Sequence, residues 1–240
     1  MNYVIIIAGG VGSRLGASVP KQFVEVLCKP VIAYTMEHFQ NHPEIDAIEL
    51  VCVDGYQEQL MEIANKFGIT KVFKIVKGGS EYERSIMNGV AGLDGIAKPD
   101  DVVMIHWAAS PFITEEIISD NIKVCKEKGN AISASHSYLL YGSNDGGCAK
   151  KAINRDSFMT LSAPQSFRYE VIVDIYKQVE NKRMFDYIDE AHTTVFMAEL
   201  GIPLYFSKGS HANIKITTKE DLELFLGFQL AKQYELKDDK

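Results

Sequence analysis

The 240-residue sequence predicts an α/β fold: a doubly wound, mostly parallel sheet with helices on both faces. Three observations support that expectation. Short, β-branched apolar runs alternate with longer helical stretches from residue 4 to residue 135. A glycine-rich turn directly follows the first run. The loops richest in glycine and polar residues fall just past the ends of the runs, where open α/β sheets bind their ligands. In order, Val4-Ile5-Ile6-Ile7, closing on Ala8, reads as a buried first strand. Pro30 suits the first turn of a helix, which runs to His42. Residues 47–53 form a second strand, 57–67 a helix and 72–76 a third strand. Gly78-Gly79 precedes a helix over residues 81–93. Residues 102–106 form a fourth strand, Thr114 caps a helix ending at Lys128, and residues 131–135 form a fifth strand.

The alternation stops after Ser135. Residues 136–154 contain Tyr138-Leu139-Leu140-Tyr141, the turn-prone Asn144-Asp145-Gly146-Gly147 and an apolar return at 149–153, which is a hairpin pattern. Lying outside the alternating unit, the hairpin is expected to project as an arm whose aromatic and leucine side chains seek a partner. Helices around 168–181 and 188–200, a strand at 203–206 and a last helix complete the chain. Thr217 and Glu220 stand at capping-box spacing before that helix. With no linker, repeat or low-complexity segment, residues 1–240 read as one domain carrying an arm at 136–154.

Composition excludes several classes. Hydrophobic content of 46% with 24% charged residues fits a water-soluble globular protein. No apolar run approaches the ~20 residues of a membrane span, and the early first strand leaves no room for a leader. Neither a membrane nor a nucleic acid is an expected partner, because 32 acidic residues outnumber 25 basic ones. Cys28, Cys52, Cys125 and Cys148 are widely spaced, which argues for a reducing cytoplasm over disulfides or zinc.

The most informative segment is AGGVGSRLGASVPKQ, Ala8 to Gln22. Gly9, Gly10 and Gly12 let the backbone turn sharply and approach a ligand closely. Backbone N–H groups of such a turn cradle an anion, and Arg14 and Lys21 neutralise it. The third glycine of a dinucleotide fingerprint is replaced by Leu15, and no Gly-Lys-Ser/Thr of a Walker loop follows. The segment is read as a triphosphate site.

This segment resembles the signature of the sugar- and polyol-phosphate nucleotidyltransferases, and Pro20-Lys21-Gln22 narrows the likeness to the methylerythritol 4-phosphate / ribitol 5-phosphate cytidylyltransferases. Further pieces recur in the family's order: Gly78-Gly79-Ser80 with Ser85, residues 106–112, Ala163-Pro164-Gln165, Asp189-Glu190-Ala191, and Asn213-Ile214-Lys215-Ile216-Thr217-Thr218. The resemblance implies a Rossmann-like sheet of the nucleotide-diphospho-sugar transferase type. It implies a homodimer in which the arm completes the partner's acceptor site. It also implies transfer of CMP from CTP to a polyol or sugar phosphate, giving a CDP-alditol and pyrophosphate. Arg14, Lys21 and Lys215 would be the catalytic cations. Ala8, Gly9, Gly10, Gly12, Gly79, Ser80 and Ser85 would bind the nucleotide, and Mg2+ would bridge its phosphates without dedicated protein ligands.

The acceptor side departs from the family. Where relatives read H-D-A-A-R-P-F, this chain reads His106-Trp107-Ala108-Ala109-Ser110-Pro111-Phe112. A carboxylate and a guanidinium give way to an indole and a hydroxyl. Tyr82 stands where many relatives carry arginine. Trp107, Ser110, Arg155 and Asp189 are the expected acceptor contacts, with Arg155 matching the arginine that grips the acceptor's phosphate. His192 and His211 read as structural, because an acceptor phosphate is already anionic and needs no general base. His38 and His42, four apart on a helix, have no acidic partner motif for metal binding. Two rivals to the cytidylyltransferase follow from the departures. One is a catalytically degenerate nucleotide-binding protein with a regulatory or assembly role. The other is a nucleotidyltransferase that selects a different base.

Overall fold

The computed structural model describes residues 1–10 and 19–238. The elements, in chain order, are β1 (Asn2–Ala8), β2 (Glu25–Val26), β3 (Lys29–Pro30), α1 (Val31–Asn41), β4 (Ala47–Cys52), α2 (Gln57–Lys66), β5 (Val72–Lys77) and α3 (Tyr82–Gly92). They continue with β6 (Val102–Trp107), α4 (Glu115–Lys128), β7 (Asn130–His136), β8 (Tyr141–Gly142), β9 (Ala152–Ile153) and β10 (Met159–Arg168). Last come α5 (Tyr169–Asn181), α6 (Thr193–Glu199), β11 (Phe206–Lys208) and α7 (Lys219–Asp238).

Alternation of side chains along β1 builds two cores at once. Val4, Ile6 and Ala8 face one side of the sheet and pack with Ile32, Met36 and Phe39 of α1, Leu60 of α2 and Ile118 of α4. Tyr3, Ile5 and Ile7 face the other and meet Ile86 and Val90 of α3, Ile172 and Ile175 of α5, and Phe196 of α6. All seven residues of β1 are buried, as a central strand covered on both faces requires. The sheet runs β11-β7-β10-β6-β1-β4-β5. Every neighbouring pair is parallel except the two made by β10. The fold is thus the expected mixed α/β architecture, with strand ends delivering Gly9, Gly78 and Trp107 to one edge.

Local sequence explains the helix ends. The Thr114 hydroxyl accepts from the Ile117 amide at the start of α4, and Gly129 closes that helix with φ +91°. At α7 the reciprocal cap lies one residue beyond the expected Thr217–Glu220 pair. The Asp221 carboxylate accepts from the Thr218 amide at 2.9 Å, and the Thr218 hydroxyl accepts from the Asp221 amide at 3.3 Å.

Three other expectations shift. Residues 159–168, of which only Ala163-Pro164-Gln165 is read from sequence, as a motif, form the antiparallel β10; its register slips between Ser162 and Gln165, which accommodates Pro164 inside a strand. The helix expected at 188–200 begins only at Thr193, whose amide donates to the buried Glu83 carboxylate (2.8 Å), while the Ile188 amide donates back to the Met184 carbonyl (3.1 Å). The last strand is Phe206–Lys208 and not 203–206. The Asn130 side-chain amide takes the Pro203 carbonyl (3.1 Å) and the Tyr205 amide (3.1 Å), and the Tyr205 carbonyl accepts from the Ile132 amide (2.9 Å), so the pairing with β7 starts only there. In the arm, β8 pairs with β9, and Tyr138, Leu139 and Leu140 are exposed.

Glu49 of β4 is fully buried with both carboxylate oxygens unpartnered. A Cβ at Gly92 would lie 2.2 Å from its Oε1, so glycine at 92 makes the room the carboxylate occupies. Burial pushes the Glu49 carboxyl up to about 7, while Lys74 on the paired strand pulls it down. A carboxyl raised in the folded state contributes stability that is complete below its unfolded value and is lost as pH rises through about 7. Buried His106, lowered to about 4, works in the opposite sense, losing stability as pH falls. A variant comparison therefore isolates Glu49. Glu49→Gln should be more stable than the unmodified protein above neutrality, by on the order of 3 kcal/mol at most. Thermal melts should show the advantage shrinking toward acid pH; a pH-independent difference would contradict the neutral carboxylic acid inside the sheet.

Candidate functional site

The first loop is pinned by a side chain. Gln22 is buried, and its amide donates to the carbonyls of Ala8 (2.8 Å) and Gly10 (3.0 Å). It thus ties the loop's exit to its entrance. Next to it, Lys21 Nζ donates to the Ile216 carbonyl (2.7 Å), joining the loop to the 213–218 segment. That segment is itself fixed to the turn after β6, because the Ile216 amide donates to the Ala109 carbonyl (2.8 Å). Gly12 and Arg14 lie outside the described residues.

The second wall comes from the end of β5. The buried Ser85 hydroxyl accepts from the Gly79 amide (3.0 Å) and donates to the Glu81 carbonyl (2.9 Å). A Cβ on Gly9 would lie 3.0 Å from that hydroxyl, and one on Gly79 would lie 2.4 Å from the Arg84 Cβ. The glycines are needed for close packing of the first loop on the start of α3. Gly9, Gly79 and Ser85 are therefore brought together, with Ser80 exposed beside them.

The third wall is aromatic. Trp107, at the end of β6, donates its indole N–H to the Tyr82 hydroxyl. Lys215 Nζ sits 4.4 Å from the Trp107 ring and 5.3 Å from the Tyr82 ring. Tyr82 packs on His192 with ring centroids 5.1 Å apart. Behind it, buried Glu83 accepts from the Thr193 amide (2.8 Å), the Thr193 hydroxyl (3.0 Å) and the Tyr176 hydroxyl (2.9 Å). Burial raises the Glu83 carboxyl to about 7 against those hydrogen bonds. Burial, then the charge of Lys215, lowers the His192 ring below its ordinary value, so the imidazole is neutral near pH 7.

The first and third walls line a cleft of about 340 Å³ with Gly10, Lys21, Gln22, Tyr82, Trp107, His192 and Lys215, among others; Gly9, Gly79, Ser80 and Ser85 are not part of that lining. It can take an anion against two lysines and a glycine backbone. A second cleft, of about 310 Å³, shares Trp107 and His192 and adds Gln165, Glu190 and Thr194.

The expected acceptor residues scatter. Trp107 lines both clefts, and exposed Asp189 precedes the lining Ala191 and His192. Ser110 is buried, and its carbonyl accepts from His106 Nε2 at 3.0 Å. It lies beneath the turn and outside the cleft lining. Arg155 is exposed at the base of the arm, donating to the Tyr138 carbonyl at 3.1 Å. Gln22, Glu83 and the lining role of His192 were not read from the sequence. Gln22 alone carried a signal, the last letter of Pro20-Lys21-Gln22.

Because Gln22 satisfies two carbonyls at the loop's mouth, Gln22→Ala should cost ~1–3 kcal/mol of stability and weaken nucleotide binding with it. Denaturant melts with and without CTP measure both. Unchanged CTP protection in this variant would show that the loop holds its shape without the staple.

Residues 2–227 match the family described as IspD: 2-C-methyl-D-erythritol 4-phosphate cytidylyltransferase. The chain is 39% identical over 230 residues to a ribitol-5-phosphate cytidylyltransferase of Lacticaseibacillus paracasei, covering 95% of this chain and 98% of that protein. It is 37% identical over 226 residues to a 2-C-methyl-D-erythritol 4-phosphate cytidylyltransferase of Clostridium botulinum, covering 93% and 95%. In three dimensions it resembles the 4-diphosphocytidyl-2C-methyl-D-erythritol synthase of Anaerococcus prevotii, with a TM-score of 0.78 at 23% identity over 96% of this chain and 98% of that one. Nothing in these likenesses favours a degenerate nucleotide binder. With its family's sequence running along nearly the whole chain, the protein belongs to the IspD family of cytidylyltransferases.

Proposed function

We propose that this enzyme transfers CMP from CTP to a pentitol phosphate of the ribitol 5-phosphate kind, and that methylerythritol 4-phosphate is a poor acceptor. The observation that carries the reading is the meeting of Gly10, Lys21 and Lys215 in one cleft at the strand ends. An acceptor phosphate oxygen attacks the α-phosphorus of CTP. The new P–O bond forms as the bond to the β-phosphate bridging oxygen breaks, and pyrophosphate leaves. Both partners are anions, so the protein's contribution is charge neutralisation and alignment. Lys21 and Arg14 would hold the departing phosphates, and Lys215 the α-phosphate. Ala8, Gly9, Gly79, Ser80 and Ser85 would frame the cytosine.

The described lining of the cleft carries no carboxylate, and among the described residues no group of three or more His, Cys, Asp or Glu could hold a metal ion. Mg2+ would enter with CTP, liganded by phosphate oxygens, as the family resemblance implies. The preference against methylerythritol phosphate rests on two departures. An indole at 107 supplies no charge or hydrogen-bond acceptor, and Ser110 is buried away from the cleft. The second cleft, with Gln165, Glu190 and Thr194, offers hydroxyl partners beside the first. The exposed apolar run Tyr138-Leu139-Leu140 supports an arm that grips a second copy and carries Arg155 to it. No helix among the described residues is long and apolar enough to cross a membrane, and a cytoplasmic setting supplies CTP.

Pyrophosphate release, assayed with CTP, Mg2+ and a panel of alditol and sugar phosphates, tests the acceptor. Ribitol 5-phosphate or a close relative should exceed methylerythritol 4-phosphate; efficient turnover of the latter would overturn the assignment. CTP should raise the melting temperature more than ATP, GTP or UTP, since only folded protein binds it. Equal shifts would remove the cytosine preference. Lys21→Ala and Arg14→Ala should each lower turnover ~10²-fold or more with the fold intact. Near-normal rates in either would place the chemistry elsewhere.

A further inference from the structure

We propose that Trp107 and Tyr82 are positioning residues, an aromatic clamp that holds the Lys215 ammonium where the α-phosphate of CTP arrives; the inference rests on the cytidylyltransferase reading. Both handles of the indole are engaged. Its N–H is donated to the Tyr82 hydroxyl, and its π-face takes Lys215 Nζ at 4.4 Å. The Tyr82 ring takes the same ammonium at 5.3 Å. The indole's donor and one of its faces are thus committed inside the protein, which leaves the opposite face to the second cleft.

The clamp is held from behind. Tyr82 begins α3 directly after the glycine turn, which Ser85 fixes. Its ring packs on His192, the neighbour of Thr193, and Thr193 is bound through amide and hydroxyl by Glu83. The Lys215 backbone is fixed separately, through the Ile216 amide and carbonyl. The remaining freedom is that of the lysine's four-carbon stem, which an aromatic clamp removes. An aromatic face attracts an ammonium through its quadrupole and brings no negative charge of its own. An indole at position 107 thus orients the lysine without adding the countercharge that a carboxylate there would bring.

The protein's single tryptophan makes the clamp directly observable. CTP should change Trp107 emission in the unmodified protein, and the change should vanish in Lys215→Met although calorimetry still detects CTP binding. Trp107→Leu should weaken CTP binding on the order of ten-fold, and Trp107→Phe, which keeps an aromatic face, should lose less. In the Lys215→Met background, Trp107→Leu should cause almost no further loss, because the residue acts through the lysine. Equal losses from Trp107→Leu in both backgrounds, with normal CTP binding by the unmodified protein, would overturn the clamp alone. Failure of the unmodified protein to bind CTP would overturn the cytidylyltransferase reading and the clamp with it.

Discussion

The register of β1 is the constraint on which the ligand edge depends. Its two neighbours are parallel, and Ile7 stands opposite both Val51 of β4 and Trp107 of β6. Because alternate β1 residues feed opposite cores, a slip of one position would move Val4, Ile6 and Ala8 to the wrong face together with Tyr3, Ile5 and Ile7. Burial on both faces forbids that slip. With β1 locked, Gly9 emerges against Ser85, and the Ala108 amide reaches the Ile7 carbonyl at 3.1 Å. The positions of the glycine loop and of Trp107 follow from where apolar side chains must go.

What the sheet leaves undetermined is settled by a few buried polar side chains. Gln22 closes the first loop, Ser85 fixes the second turn, and Glu83 draws the Thr193 segment against Tyr82. Each has its hydrogen-bonding partners inside the protein, where an unmet polar group would be costly. The cleft is therefore assembled from five stretches far apart in sequence, joined by short contacts between side chain and backbone. Two lysines enter it through one carbonyl: Lys21 bonds the Ile216 oxygen, and Ile216 follows Lys215. Backbone thus fixes Lys21, while the Lys215 ammonium is placed by the Trp107 and Tyr82 rings.

Much of this was legible in the sequence, for physical reasons. Parallel strands buried on both faces read as continuous β-branched runs, so β1, β4 and β6 stand out. β10 was hidden because MTLSAPQSFR is polar and carries a proline, which argues against a strand unless a bulge absorbs it. The start of α6 was misplaced because a distant carboxylate, Glu83, decides where the helix begins. The glycine and lysine positions of the cleft were legible because close approach and charge demand those residue types. Gln22 and Glu83 were not, since their value lies in backbone groups that only the folded chain brings near. Trp107 could be located but not interpreted: whether an indole faces a ligand or a lysine depends on Tyr82, 25 residues away.

The two roots of the arm face each other in the sheet, His136 of β7 opposite Met159 of β10. The whole excursion between them leaves and re-enters through a single doorway. The entropy of closing such a loop grows only slowly with its length. The arm can therefore lengthen, shorten or change its apolar tip without disturbing the pairing of β10 with β6, the strand that carries Trp107. Change in the arm's exposed face is in this way insulated from the strand geometry behind it. Chains that share one sheet are free to differ in what they display at the tip of the arm.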